Sequence, residues 1–500
     1  MAGASRARRL CPPLLACGPE MRLILAAVLG AALGIGMGLG IGAAGGATGA
    51  TGQPSRAAQG QPSGAAQGQP PVAAPEPTWK ELSHSAKMAH DAKDYPAYRA
   101  QVGRLYDLLS GHPDTVLGMA KAEALLGHAA AALEWLDAYA AMGLVRDLSD
   151  QPDLTGLRQA DSFAAVLARL EANKRPRSRS VRAFTLPDPD LLTEDVAYDP
   201  GTGRFFVSSI REAKIVAISK DGSGARDFVP ARRDAIWGVL ALAVDPRRGV
   251  LWATTAAMPP TRGYREADQG HTAVLRYDLA TGKLQKRYDL PLPPTMRPAP
   301  KGSAAGIVPV PAEERQRVLG DMTVAPNGDV FVSEGVAGAV YTIGRARDEL
   351  EVLVAPGIFI SPQTPAVTPD GHRLLVADYV RGIGIVDLAA RAVTWVTHPR
   401  EVAVNGIDGL YLYGDSLLAV QNGTQPNRVI RLYLDPTLTR VLRWEPLDSN
   451  SPGLGAPTHG TLVGRDFFYL ANSGWDQLAD DGSVKPGAAL TPAEVRRVAL

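Results

Sequence analysis

The chain has 500 residues, more than one ordinary core accommodates, and its 52 Lys and Arg against 51 Asp and Glu leave a formal charge of +1. No basic stripe or acidic tail breaks that balance, so nothing argues for a nucleic-acid partner. Both cysteines, Cys11 and Cys17, lie near the N-terminus, which denies the rest of the chain a disulfide, a zinc–thiolate site or a cysteine nucleophile.

The first segment, 1–46, reads as a signal peptide or an N-terminal membrane anchor. Met21 looks like a start, and one Arg and an apolar run over 23–44 follow it, then small residues. Either reading exports the body to the periplasm or medium, with membrane contact only through this segment if it stays uncleaved. Residues 47–76 repeat Gly, Gln, Pro, Ser and Ala with almost no apolar bulk, and are expected to form a disordered linker.

Residues 77–174 carry small apolar residues at helical spacing, and the pattern returns after about 34 residues. The stretch "AEALLGHAAAALEWLDAYAAMG" resembles a tetratricopeptide repeat, with Gly127 in the turn between two helices. Such a domain serves either as a helical cap on its neighbour or as a groove for a protein or peptide partner. Residues 175–180 read as a basic linker.

From 181 to 500 the period changes to two. Six segments share one plan: "LTEDVAYDPGTGRFFVSSI", "VLALAVDPRRGVLWATT", "LGDMTVAPNGDVFVSEG", "SPQTPAVTPDGHRLLVADY", "NGIDGLYLYGDSLLAVQNG" and "PTHGTLVGRDFFYLANSG". Each has a lead-in, a short apolar strand, a turn rich in Asp, Pro and Gly, and a second strand. Repetition at this spacing predicts a six-bladed β-propeller behind a small all-α domain. The Pro-rich stretch 257–318 reads as an insertion over one face, and "EVRRVAL" with "SVRAFTL" as the closure of the last blade.

These blades resemble the senescence-marker-protein/gluconolactonase propellers, with paraoxonases and strictosidine-synthase-like proteins as relatives. Aligning the turns places Glu194, Leu240, Gly320, Gln363, Asp408 and His459 at one equivalent position, the mouth of the central channel. In the resembling family a Glu, an Asn and an Asp hold one divalent cation, usually calcium. The resemblance therefore implies a metal site of Glu194, Gln363 and Asp408, for Ca2+ or another divalent cation. Gln363 stands where the family pattern has Asn, and Gly320 where it has a second one, although Asp321 is kept. The implied activity is hydrolysis of a small-molecule lactone or ester, with Asp408 or His459 removing a proton from water. The alternative is a non-catalytic scaffold whose propeller and helical repeats bind a protein or small ligand.

The bland reading of His459 is a ring bonded to a backbone carbonyl, and that of Trp475 in "ANSGWDQL" is packing. His271 and His398 read as solvated surface residues. Phe205, Phe206, Trp252, Phe331, Phe467 and Phe468 read as core between blades. No nucleophile elbow or Walker-type loop is present.

Overall fold

The computed structural model describes residues 77–299, 307–310 and 315–500. The apolar run, Met21, both cysteines and the 47–76 linker lie outside the described residues. Among those described, no helix is long and apolar enough to cross a membrane.

Five helices come first: Trp79–Asp91, Tyr95–Leu108, Pro113–Leu125, Ala129–Ala141 and Asp161–Ala172. Their starts are written in the sequence. Thr78 and Glu81 form a reciprocal capping box, and Asp94 caps the second helix by accepting from Ala97 N at 3.1 Å. At the third, Pro113 opens the first turn and His112 Nδ1 accepts from Asp114 N at 3.2 Å. Gly127, at φ 81°, makes the turn between the third and fourth helices.

Six antiparallel sheets follow, at 196–229, 238–289, 319–354, 362–395, 407–449 and 460–499, and are called blades 1 to 6. Their innermost strands touch in one closed circle, blade 6 meeting blade 1. The molecule is a six-bladed β-propeller. The six aromatic residues assigned to the core are buried; Phe205, for example, lies against Phe184 and Phe468 across the blade 6–blade 1 boundary.

Blade 6 takes its outer strand, Ser180–Thr185, from the beginning of the propeller, pairing Ser180 with Val498 and Thr185 with Glu494. The stretch 175–180 is not a free linker. Arg177 and Ser178 pair with Ser449 and Asp448 as a fifth strand on blade 5, so one short segment stitches blades 5 and 6 together. The 257–318 stretch is not a single insertion either. Thr272–Asp278 and Leu284–Asp289 are the outer strands of blade 2, between a loop at 257–271 and a longer one carrying the hairpin Met296–Pro298 with Ile307–Pro309.

The helices sit on the face where the innermost strands begin, against blades 4 and 5. Asn405 Nδ2 donates to the Leu109 carbonyl at 3.0 Å, and Val145 N to the Gln425 carbonyl at 2.7 Å. His398 is not a solvated residue: its Nε2 lies 2.9 Å from the Ser110 carbonyl. Arg428, only 1% exposed, donates to the carbonyl of Met142 at 2.6 Å and to Gln421 Oε1 at 2.7 Å, and lies over the Trp444 ring. Met142 is the cap residue of the fourth helix, where the helix dipole favours a cation.

Candidate functional site

The innermost strands of blades 2 to 5 share a local irregularity. Their pairing slips between Val239 and Leu242, Leu319 and Met322, Pro362 and Pro365, and Ile407 and Gly409. Each slip falls at the aligned position, Leu240, Gly320, Gln363 or Asp408. A bulge of this kind re-aims one side chain out of the alternation. In blades 1 and 6 the strands begin at Val196 and Gly460, and Glu194 and His459 stand just before them.

A belt of hydroxyl groups fixes these positions from the neighbouring blade. Thr254 donates to the Gly320 carbonyl (2.6 Å), Ser333 to that of Gln363 (2.5 Å), Thr364 to that of Asp408 (2.8 Å) and Thr458 to that of Glu194 (2.7 Å). Backbone carbonyls at a channel mouth have no ladder partner, and buried acceptors of this kind are satisfied by side chains.

Glu194, Leu240, Gly320, Gln363 and Asp408 line one small cavity of about 50 Å³, together with Asp321, Met258, Val318 and Trp475. Donor atoms of Glu194, Asp408 and His459 all lie within 4.8 Å of one another. All three are buried, at 8%, 3% and 2% exposure. His459 Nδ1 lies 3.0 Å from the Glu194 carbonyl, while Nε2 lies 3.0 Å from Asp321 Oδ2 and 3.7 Å from Asp408 Oδ1. Despite that proximity, Nε2 has no well-aligned hydrogen bond. The expected bond to a backbone carbonyl is thus present at one ring nitrogen, and the other faces the carboxylates.

Gln363 reaches the cavity wall, with its Nε2 donating to the hydroxyl of Ser361 at 3.0 Å. Three partners were not assigned to the site by the sequence. Trp475 is more than a packing residue, because its indole N–H donates to Glu194 Oε2. Asn422 Nδ2 donates to Asp408 Oδ2 at 2.6 Å. The Thr364 hydroxyl reaches Asp321 Oδ2 at 3.0 Å as well as the Asp408 carbonyl. A Trp in a Gly- and Asn-rich rim segment, and an Asn closing the strand that pairs with the Asp408 strand, were the available signals.

Other buried acids have structural duties. Asp195 accepts from Val196 N and Leu242 N, each at 2.7 Å, and ties blade 1 to blade 2. Asp378 accepts from four backbone N–H groups around blade 4.

Burial raises the pKa of Glu194 and of Asp408; the charge of Asp408 adds to the rise at Glu194, and His459 opposes it at both. Burial works against a charge on His459, yet Asp321 and Asp408 outweigh it and raise its pKa well above the ordinary value. The cluster therefore gathers more negative charge than one imidazole balances. Protons or a cation must supply the difference. Two carboxylates and an imidazole nitrogen with no aligned partner, beside a small cavity, fit a divalent cation.

The roof of the cavity is apolar. Leu192, Ile210, Leu240, Met258, Val318, Trp475 and Leu478 form one buried cluster from blades 1 and 2, the 257–271 loop, the lead-in to blade 3 and the segment after blade 6's second strand. Arg262 fastens the 257–271 loop, donating to Asp190 Oδ2 at 2.7 Å.

The fold and the cluster define a propeller with an acidic pocket at its channel mouth and a buried imidazole beside the acids. No family model matches the chain, and no curated protein is similar to it in sequence. Among solved structures it is similar to a luciferin-regenerating enzyme, at 14% identity, 65% of this chain, 96% of that one and a TM-score of 0.42. It is similar also to an aldose sugar dehydrogenase from Streptomyces coelicolor, at 12% identity, 65% and 99% coverage and a TM-score of 0.42. A third is virginiamycin B lyase from Staphylococcus aureus, at 16% identity, 59% and 82% coverage and a TM-score of 0.39. The architecture rests on the six sheets themselves, and these likenesses carry no argument about activity.

Proposed function

We propose that the protein is an exported, metal-dependent hydrolase of lactones or other carboxylic esters, with its active site at the channel mouth. The observation that carries this reading is the meeting of donor atoms of the buried Glu194, Asp408 and His459, from blades 1, 5 and 6, within 4.8 Å, with Glu194 and Asp408 on the cavity wall. Glu194 and Asp408 would hold the cation, each oriented by one donor, Trp475 and Asn422 respectively. When bound, the ion supplies Lewis acidity toward an ester carbonyl.

Asp321 lines the same cavity and accepts a proton from the attacking water. The water oxygen joins the carbonyl carbon, the acyl–oxygen bond breaks, and the proton passes to the departing alkoxide. The Thr364 hydroxyl holds Asp321 in place for this task. The apolar roof excludes bulk water and favours an apolar acyl chain over a polyhydroxylated one. Export rests on the apolar run over 23–44.

The test is a panel of alkyl lactones and aryl esters, assayed with and without added divalent cation. Activity is expected only with the cation, with about 100-fold or greater loss of kcat in Asp321→Asn. A metal-loaded protein that cleaves nothing in the panel would end the hydrolase reading. In a separate measurement, the cation should raise Tm in the wild type and in Asp329→Ala, whose carboxylate serves an exposed hairpin turn, and fail to do so in Asp408→Ala.

A further inference from the structure

We propose that His459 is itself a metal ligand through Nε2, beside Glu194 and Asp408, and that the centre selects Mn2+, Fe2+ or Zn2+ over Ca2+. The inference rests on the metal reading above but not on the hydrolytic one.

The tautomer follows from the contacts. Nδ1 lies 3.0 Å from the Glu194 carbonyl oxygen, which can only accept, so Nδ1 carries a hydrogen. A neutral ring then presents its lone pair at Nε2, toward Asp321 and Asp408. A lone pair facing two carboxylates is repulsive unless a proton or a metal ion stands between them. Nε2 is the buried polar atom of this cluster that has no aligned hydrogen bond. Metal-binding histidines are ordinarily held in this manner, one ring N–H on a carbonyl or carboxylate and the other nitrogen on the ion.

The donor set then decides the class of ion. Calcium takes six to eight oxygen ligands in a loose shell, whereas imidazole nitrogen suits the first-row transition ions. Gln363 can add at most one neutral oxygen, since its Nε2 is committed to Ser361, donating to the carbonyl (3.3 Å) and the hydroxyl (3.0 Å). Gly320 contributes no side chain. With two carboxylates and one imidazole, the pocket departs from an all-oxygen cage.

The experiment uses the full chain, stripped of metal by a chelator and titrated calorimetrically with MnCl2, ZnCl2 and CaCl2 at one pH. Mn2+ and Zn2+ are expected to bind at least about tenfold more tightly than Ca2+. Pulsed electron paramagnetic resonance of the Mn2+ form is expected to show coupling to one 14N nucleus, which His459→Gln removes and Gln363→Leu retains. The wild-type spectrum decides the matter even if His459→Gln fails to fold. Tighter binding of Ca2+, an absence of 14N coupling or an absence of any binding would each overturn the proposal. Mn2+ bound with nitrogen coupling but without ester cleavage would leave it standing and remove only the hydrolytic reading.

Discussion

At Gly320 an added Cβ would meet no heavy atom within 4 Å, although the residue lines the cavity beside Asp321 and Gln363. An asparagine there has room for its Cβ and would add a carboxamide to the wall that carries Glu194 and Asp408. Gly320→Asn is therefore expected to improve the Ca2+ to Mn2+ affinity ratio by about tenfold, read by calorimetry. An unchanged ratio would show that side chains at this position do not reach the ion. The six ring positions were legible because Asp-, Pro- and Gly-rich hairpin turns mark each blade at a fixed distance from its mouth. Trp475 and Asn422 were not, because a hydrogen-bond partner brought in by a rim loop has no fixed spacing from the carboxylate it serves.

Among the elements, blade strands were easy to read from alternation, but their bulges were not. A slip between Ile407 and Gly409 depends on what the neighbouring blade offers the freed carbonyl, here the Thr364 hydroxyl. The helices were legible from their spacing, yet the sequence does not say which face they cover, since that depends on contacts with distant residues such as Asn405 to Leu109 and Val380 in the helical apolar cluster. The third helix makes a prediction at this scale. Burial lowers the pKa of His112, with Arg146 acting in the same direction and Asp114 against it. Its neutral ring is needed because Nδ1 accepts from Asp114 N. The folded state thus binds fewer protons than the unfolded one, so this contribution is full above the ordinary histidine pKa of about 6.5 and is lost as pH falls through the lower folded value. Tm should drop on acidification below about pH 6.5 in the wild type and less steeply in His112→Asn, which keeps a cap acceptor that does not titrate. Parallel Tm–pH curves for the two proteins would refute the assignment.

For the whole molecule the decisive feature is the shared segment 177–185, which adds an edge strand to blade 5 and the outer strand to blade 6. Phe184 on that segment is 5% exposed and packs with Phe205. Phe184→Ala is expected to cost about 3–5 kcal/mol in urea unfolding, the usual range for a buried Phe. A loss below about 1 kcal/mol would mean that the ring holds shut without this contact. The helices add a second brace, since Arg428 ties the end of the fourth helix to blade 5 through acceptors that carry no charge.

The seam also sets an order of events. Ser180 is made well before its partner Val498, so blade 6 cannot be completed until the rest of the propeller has been synthesised. The five helices and the first blades can form on local contacts, but the circle waits for a pairing between the two ends of the propeller. Until that moment a strand edge stands open on blade 6, the kind of edge that invites pairing with another chain. The slow and vulnerable step in the making of this protein is therefore the joining of its first propeller strand to its last.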